Sequence, residues 1–185
     1  RRDATKAADY AKRHGVEKWY SDAAQLIDDP EVNAIYVATP PSTHLLYALA
    51  AIDAGKPVYV EKPMAMNVTE ARQMSAHAKD KNVKLSVAHY RRQLPLFLKI
   101  KSLLQEKVIG DILFVQLQLR QSASARLVAA SEQNWRIDPA VSGGGLFHDL
   151  APHQIDILLY LFGAAKQWKG FAAYQRKTNQ ADVMV

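Results

Sequence analysis

The chain has 185 residues, 49% hydrophobic and 23% charged, with a net charge of +6 and no cysteine. That balance is ordinary for a soluble globular protein and is enough for one sizeable core, or one and a half domains. The missing cysteines exclude a disulfide framework and a thiolate metal site, and no apolar run approaches the length of a membrane span. No run of five like charges occurs, so the positive charge reads as a solvated basic surface, or as a cleft for an anionic cofactor, rather than a nucleic-acid face. No charged-then-apolar leader is visible, and a reducing, cytoplasmic setting is expected.

Residues 3–14, DATKAADYAKRH, have helical periodicity and end at Gly15. A short helix is expected from Ser21, as N-cap, to Asp28. NAIYVATPPSTH reads as a strand over 34–38 broken by Pro40-Pro41, with Ser42 capping a helix that runs to Gly55. PVYVE is a second strand, and Asn67 with Glu70 resembles a capping box for the helix after it. VKLSVAHY is a third strand and LPLFLKIKSLLQEK a third long helix. Short apolar strands alternating with helices predict a parallel sheet buried on both faces. Right-handed crossovers then bring Thr39, Glu61 to Pro63 and His89 to Arg92 to one edge.

The texture changes after Gly110. Residues 111–123, DILFVQLQLRQSA, alternate apolar and polar positions through Ile112, Phe114, Gln116 and Gln118, the pattern of an open sheet covered on one face. A domain boundary is expected at 109–111. An irregular polar stretch leads to Trp135-Arg136, and a triple glycine precedes an amphipathic helix closing at Gly163. KQWKGFAAYQRK, 166–177, reads as another strand. The chain starts at Arg1 without methionine and stops inside a strand-like stretch, so a piece of a longer protein is expected.

Three features could carry chemistry. Lys62 follows a buried-looking strand. It is either a surface lysine or a ligand contact at the carboxyl edge of the sheet, its direction restricted by the following Pro63. Asp149, His153 and Asp156 share one helix face, with Ile155, Ile157, Leu158 and Leu161 as the core face and His148 on a different side. An Asp–His pair one turn apart can hold a metal, exchange protons or simply hydrogen-bond. No third ligand stands at a workable spacing, so no metal is expected. Gly143-Gly144-Gly145 lacks the spacing of a phosphate-binding loop, and is either a helix start pressed on a neighbour or a turn beside a ligand.

ATPPSTH, GKPVYVEKPMAMN, WRIDPAVSGGG and GGLFHDLAPHQIDILLYLFG, in that order, resemble the glucose–fructose oxidoreductase/inositol dehydrogenase/MocA family of NAD(P)-dependent oxidoreductases. The resemblance covers the whole chain. It implies an α/β protein: residues 1–109 as the remainder of a Rossmann-like dinucleotide-binding domain, and 110–185 as the first part of an α+β domain with an open, mostly antiparallel sheet. That sheet often makes a dimer interface, so a homo-oligomer is expected. The implied activity is hydride transfer between NAD or NADP and a secondary carbinol of a sugar, polyol or related ring.

The resemblance also implies residue roles. Lys62 contacts the substrate hydroxyl and the cofactor, and Asp149 and His153 sit on the active-site helix. Thr39, Pro40 and His44 line the dinucleotide, and Glu61 lies near the nicotinamide. Trp135 and Arg136 lie near the cofactor, and Arg91 joins the substrate contacts. Arg1 and Arg2 fall beside the adenosine ribose, where arginine suits a 2′-phosphate, giving a lean to NADP. Two positions depart from the family pattern. Tyr90 stands where asparagine is common, and Pro152, expected in the first helical turn, stands where glycine is common. The glycine loop that holds the pyrophosphate has no counterpart in the chain, so the isolated chain is expected to be inactive. The alternative is a family member that binds a ligand without turnover.

Overall fold

The computed structural model describes residues 3–120, 135–173 and 183–184. The chain forms two compact units, residues 1–88 and 89–185, and the change of texture near Gly110 falls inside the second.

Helix α1 (Ala4–His14) opens the first unit. The Asp3 carboxylate accepts from the Lys6 N–H at 3.0 Å, and Gly15, at φ 65°, closes the helix. In α2 (Ala23–Asp28) the cap is Asp22 rather than Ser21: its carboxylate accepts from the Ala24 N–H at 3.0 Å. Strand β1 (Ile35–Val37) leads through a 3-10 turn (Pro41–Thr43) into α3 (His44–Asp53). Ser42 therefore lies inside the turn and caps nothing, and α3 has no side-chain cap. The neighbouring Thr43 hydroxyl is held by the loop itself, 2.8 Å from Thr39 Oγ1 and 3.0 Å from the Pro40 carbonyl.

Strand β2 (Val58–Val60), helix α4 (Val68–Asp80) and strand β3 (Leu85–Val87) complete the unit. Asn67 caps α4 as expected, accepting from the Glu70 N–H at 3.0 Å, while the Glu70 carboxylate reaches back to the Met66 N–H at 3.1 Å. The strands are parallel in the order β1-β2-β3, with Val37 opposite Val60 and Val60 opposite Val87. One face of the sheet is core: Ile35, Val37, Val58 and Val60 pack with Ala48, Ala51 and Ile52 of α3 and with Met74 and Ala78 of α4. The other face is not buried as expected. Tyr36 and Tyr59 project from it half-exposed with their rings 5.3 Å apart, and Ser86 is exposed beside them.

A polar cluster ties the end of α2 to the segment before it. Lys18 Nζ lies 2.6 Å from Asp29 Oδ2, and the Tyr20 hydroxyl donates to the same oxygen. The Glu31 N–H donates to Asp29 Oδ1 at 2.9 Å, and Lys56 Nζ donates to the Asp29 carbonyl at 2.6 Å. The Lys18 ammonium, then the Tyr20 hydroxyl and the Glu31 amide, hold the Asp29 carboxyl well below the usual carboxylate range. Asp29 and Glu31 in turn push the Lys18 ammonium up. A carboxyl depressed by folding stabilises the fold above its unfolded pKa, about 4. That stability is lost as pH falls through the folded value. The Tm of the protein is therefore expected to fall on acidification below about pH 4. Asp29→Asn should start from a lower Tm at neutral pH and lose part of this acid dependence. An unchanged acid limb in the variant, followed by scanning fluorimetry, would remove Asp29 from the account.

The second unit begins with a 3-10 turn (Tyr90–Gln93) and α5 (Pro95–Gln105). Residues 112–120 form no strand, contrary to expectation, and 121–123 lie outside the described residues. A strand needs a neighbour to take its N–H and C=O groups, and no described segment pairs here. Leu113, Phe114 and Val115 are exposed. A 3-10 turn (Trp135–Ile137), α6 (Pro139–Ser142) and α7 (Gly145–Phe162) follow. The strand expected over 166–177 is limited to β4 (Ala172–Ala173), antiparallel to β5 (Val183–Met184), and 174–177 lie outside the described residues.

Among the described residues no helix is long and apolar enough to cross a membrane. None of them forms a group of three or more His, Asp or Glu that could hold a metal ion.

Candidate active site

In the first unit the candidates stand at the carboxyl ends of β1 and β2, the edge where open parallel sheets take ligands. Glu61 extends β2, its N–H donating to the Val37 carbonyl at 2.9 Å. Its carboxylate accepts from the Tyr36 hydroxyl and from the Lys62 N–H, the latter at 3.1 Å. Lys62 itself is half-buried, and Pro63 after it is buried. Thr39 and Pro40 form the facing loop, half-buried, and are bonded to Thr43.

His44 differs from expectation. It was expected to line the dinucleotide, but it is fully buried at 0% exposure. Its Nε2 lies 2.8 Å from the Thr39 carbonyl, and its Nδ1 lies 3.0 Å from the Pro63 carbonyl and 3.3 Å from that of Met64. Every polar atom of the ring is engaged by backbone, so His44 joins the two loops rather than facing a ligand.

In the second unit the candidates gather on α7. The triple glycine is a helix start. Gly143, at φ 87°, closes α6, and the buried Ser142 Oγ accepts from the Gly145 N–H at 3.1 Å. A Cβ on Gly144 would meet the His148 side chain at 3.3 Å. Because α7 starts at Gly145, Pro152 lies well inside the helix rather than in its first turn, where it has no N–H to donate.

The polar face of α7 is the buried one. His153 and Asp156 are 6% and 7% exposed, like Ile157, whereas Ile155, expected in the core face, is 48% exposed. The two carboxylates of this face have cationic partners that offset their burial. Asp149 Oδ2 lies 3.3 Å from Arg136 Nε, and the Arg136 guanidinium lies over the Trp135 ring at 4.5 Å. The Arg92 guanidinium grips the Asp156 carboxylate, with Nε 2.9 and 3.0 Å from the two oxygens and Nη2 2.5 Å from Oδ1. Hydrogen bonding to Asp156 raises the pKa of Arg92 above its ordinary value. The His89 ring nitrogen Nδ1 stands 3.8 Å from the same carboxylate. The ring of His153 meets Tyr90 edge-on at 5.3 Å between centroids. His153 and Arg91 line one cleft of about 230 Å³, with Phe97, Leu117, Leu119 and Gln154.

Several expected residues thus come together within their own unit: Thr39 and Pro40 in one loop, Glu61 beside Lys62, Arg136 on Asp149 and over Trp135, and Arg91 with His153. Arg1 and Arg2 lie outside the described residues. Sequence reasoning gave Arg92 and Asp156 no role as a pair. The available signal was a carboxylate on a buried helix face, which demands a cation, with Arg91-Arg92 as the nearest source of one.

Known proteins match both units. The model described as the oxidoreductase family, NAD-binding Rossmann fold, matches residues 1–89, and that of the GFO/IDH/MocA C-terminal domain matches residues 97–185. Oxidoreductase P35 of Formosa agariphila is 48% identical over 183 residues, covering 99% of this chain and 57% of that protein. Levoglucosan dehydrogenase of Pseudarthrobacter phenanthrenivorans is 37% identical over 157 residues, covering 85% of this chain and 40% of that one. The solved structure of levoglucosan dehydrogenase in complex with NADH and levoglucosan superposes with a TM-score of 0.79 at 31% identity, over 94% of this chain and 46% of that chain. The chain spans about half the length of the curated relatives it matches. Two models of one family, matched in sequence over a parallel α/β unit and the unit that follows it, place the chain in the glucose–fructose oxidoreductase/inositol dehydrogenase/MocA family.

Proposed function

We propose that the protein is an NAD-dependent oxidoreductase that moves a hydride between the nicotinamide and a secondary carbinol of a sugar, anhydrosugar or polyol. The observation that carries this reading is His153. It is a buried histidine on a helix of fixed geometry, flanking a cleft that also presents Arg91, in a chain of an NAD-binding family. Relatives named levoglucosan dehydrogenase and 1,5-anhydro-D-fructose reductase support the substrate class.

The residues at the carboxyl edge of the first unit fit a nicotinamide dinucleotide. Thr39 offers a hydroxyl, Glu61 a carboxylate and Lys62 an ammonium at the ends of adjacent parallel strands. NAD is preferred over NADP, because the matched family model is NAD-binding and a solved relative holds NADH. The lean to NADP rested on Arg1 and Arg2. A homo-oligomer built on the second unit's sheet, supported by the family resemblance, and a cytoplasmic setting, which a chain without cysteine suits, complete the proposal.

The cofactor, when bound, supplies the hydride chemistry. The chain supplies position and a proton path. As a carbinol is oxidised, negative charge develops on its oxygen. Lys62 stabilises that charge by its ammonium, and His153 takes the hydroxyl proton, a neutral imidazole being suited to the task near neutral pH. Asp149, held by Arg136, orients the substrate. Arg91 adds a donor at the cleft wall.

The reading is tested by titrating the intact protein with NADH and NADPH, followed by fluorescence, and then by assaying NAD reduction with levoglucosan and related pyranoses. Binding and turnover support it. Failure to bind either dinucleotide would turn the protein into a ligand-binding relative without hydride chemistry. His153→Asn is expected to lower kcat about a hundredfold and to remove one ionisation from the kcat/KM profile. A variant with an unchanged profile would take the base role from His153.

A further inference from the structure

We propose that His44 is a positioning residue whose buried ring pins the loop after β1 to the loop after β2, and so fixes where the Lys62 ammonium stands. The inference rests on the reading of Lys62 as the group that stabilises the substrate oxygen.

The geometry is one-sided. All three partners of the ring are backbone carbonyl oxygens: Thr39 on Nε2 at 2.8 Å, Pro63 and Met64 on Nδ1 at 3.0 and 3.3 Å. Carbonyl oxygens only accept. The ring is fully buried, so an N–H that it carries has only these oxygens to donate to. Among the described residues no side chain competes for the ring. Thr39 belongs to the loop that follows β1, and Pro63 and Met64 follow Lys62 directly, so one side chain spans both halves of the sheet edge. The carbonyl two bonds beyond the Lys62 α-carbon and its peptide is thereby a fixed point. The backbone from Glu61, itself bonded to Val37, through Pro63 is anchored at both ends. A lysine side chain is long and mobile, and anchoring its backbone restricts where the ammonium can reach.

The test uses the intact protein in three forms: His44→Gln, Lys62→Met and the double variant, assayed with NAD and levoglucosan, with imidazole nitrogen NMR on the unmodified protein. A slowly exchanging ring N–H signal, absent from His44→Gln, is expected. His44→Gln should keep NADH binding and lose about tenfold to a hundredfold in kcat, the loss typical of a misplaced catalytic group. The double variant should be no slower than Lys62→Met alone, because His44 acts through Lys62. No slowly exchanging ring N–H signal, wild-type kcat in His44→Gln, or losses that multiply in the double variant would each overturn the proposal. If His44→Gln does not fold, the ring signal of the unmodified protein still decides whether the tie exists. If Lys62→Met turns over normally, the catalytic reading of Lys62 falls and the positioning role falls with it. In that case a protected ring N–H signal would still show that it was the catalytic reading, and not the tie between the loops, that failed.

Discussion

Lys62→Met in the intact protein is expected to lower kcat about a hundredfold or more, with Tm almost unchanged, because deleting a donor to a developing oxyanion has effects of that size. Methionine keeps most of the stem and removes only the charge and the donor. Lys62 is half-buried at the end of β2, outside the packed core of Val58 and Val60, so the substitution leaves that core intact. Lys62→Arg should recover little, since a planar fork does not reproduce a compact point charge. Steady-state kinetics with NAD and an anhydrosugar check both variants. Near-normal turnover in Lys62→Met would remove the residue from the mechanism.

Arg92→Leu is expected to destabilise the second unit by about 3 kcal/mol, the low end for breaking a buried pair, since the guanidinium is partly exposed and solvent screens it. The loss arises from Asp156, whose side chain at 8% exposure is left as a buried carboxylate without its cation. The double variant Arg92→Leu with Asp156→Leu should regain part of the loss, because replacing both partners removes the stranded charge. Urea unfolding of the four proteins, read as a double-mutant cycle, measures the coupling. Additive single effects would show that the bidentate contact contributes nothing.

Local chemistry was legible from sequence wherever a hydrogen bond closes within a few residues. Gly15 and Asn67 with Glu70 announce their helix ends because caps are satisfied by near neighbours. The three parallel strands were legible from short Val- and Ile-rich runs between helices. What failed depended on distant partners. Ser42 looked like a cap, but Pro41 and the Thr39–Thr43 contact turned that segment into a 3-10 turn. The inward face of α7 was misjudged because Arg92, 64 residues from Asp156 in sequence, makes burial of a carboxylate possible. The alternation over 111–123 signals a strand only if a neighbour pairs with it. His44 was named for the right loop and given the wrong task, since no local spacing reveals that its ring reaches the Pro63 carbonyl. In the candidate site, residue identities came from motif resemblance, and their mutual support came from the structure.

Helix α7 is fastened near its start through Asp149 to Arg136 and, two turns on, through Asp156 to Arg92. His153 lies between the two fastenings. Under the proposed function, substrate selection falls to the cleft wall of Leu117, Leu119 and Phe97, outside that helix, and proton exchange and recognition are separable modules. Mutations in the wall can change which ring is accepted without moving the histidine, so a lineage built on this scaffold can drift among carbohydrates while its acid–base step stays fixed.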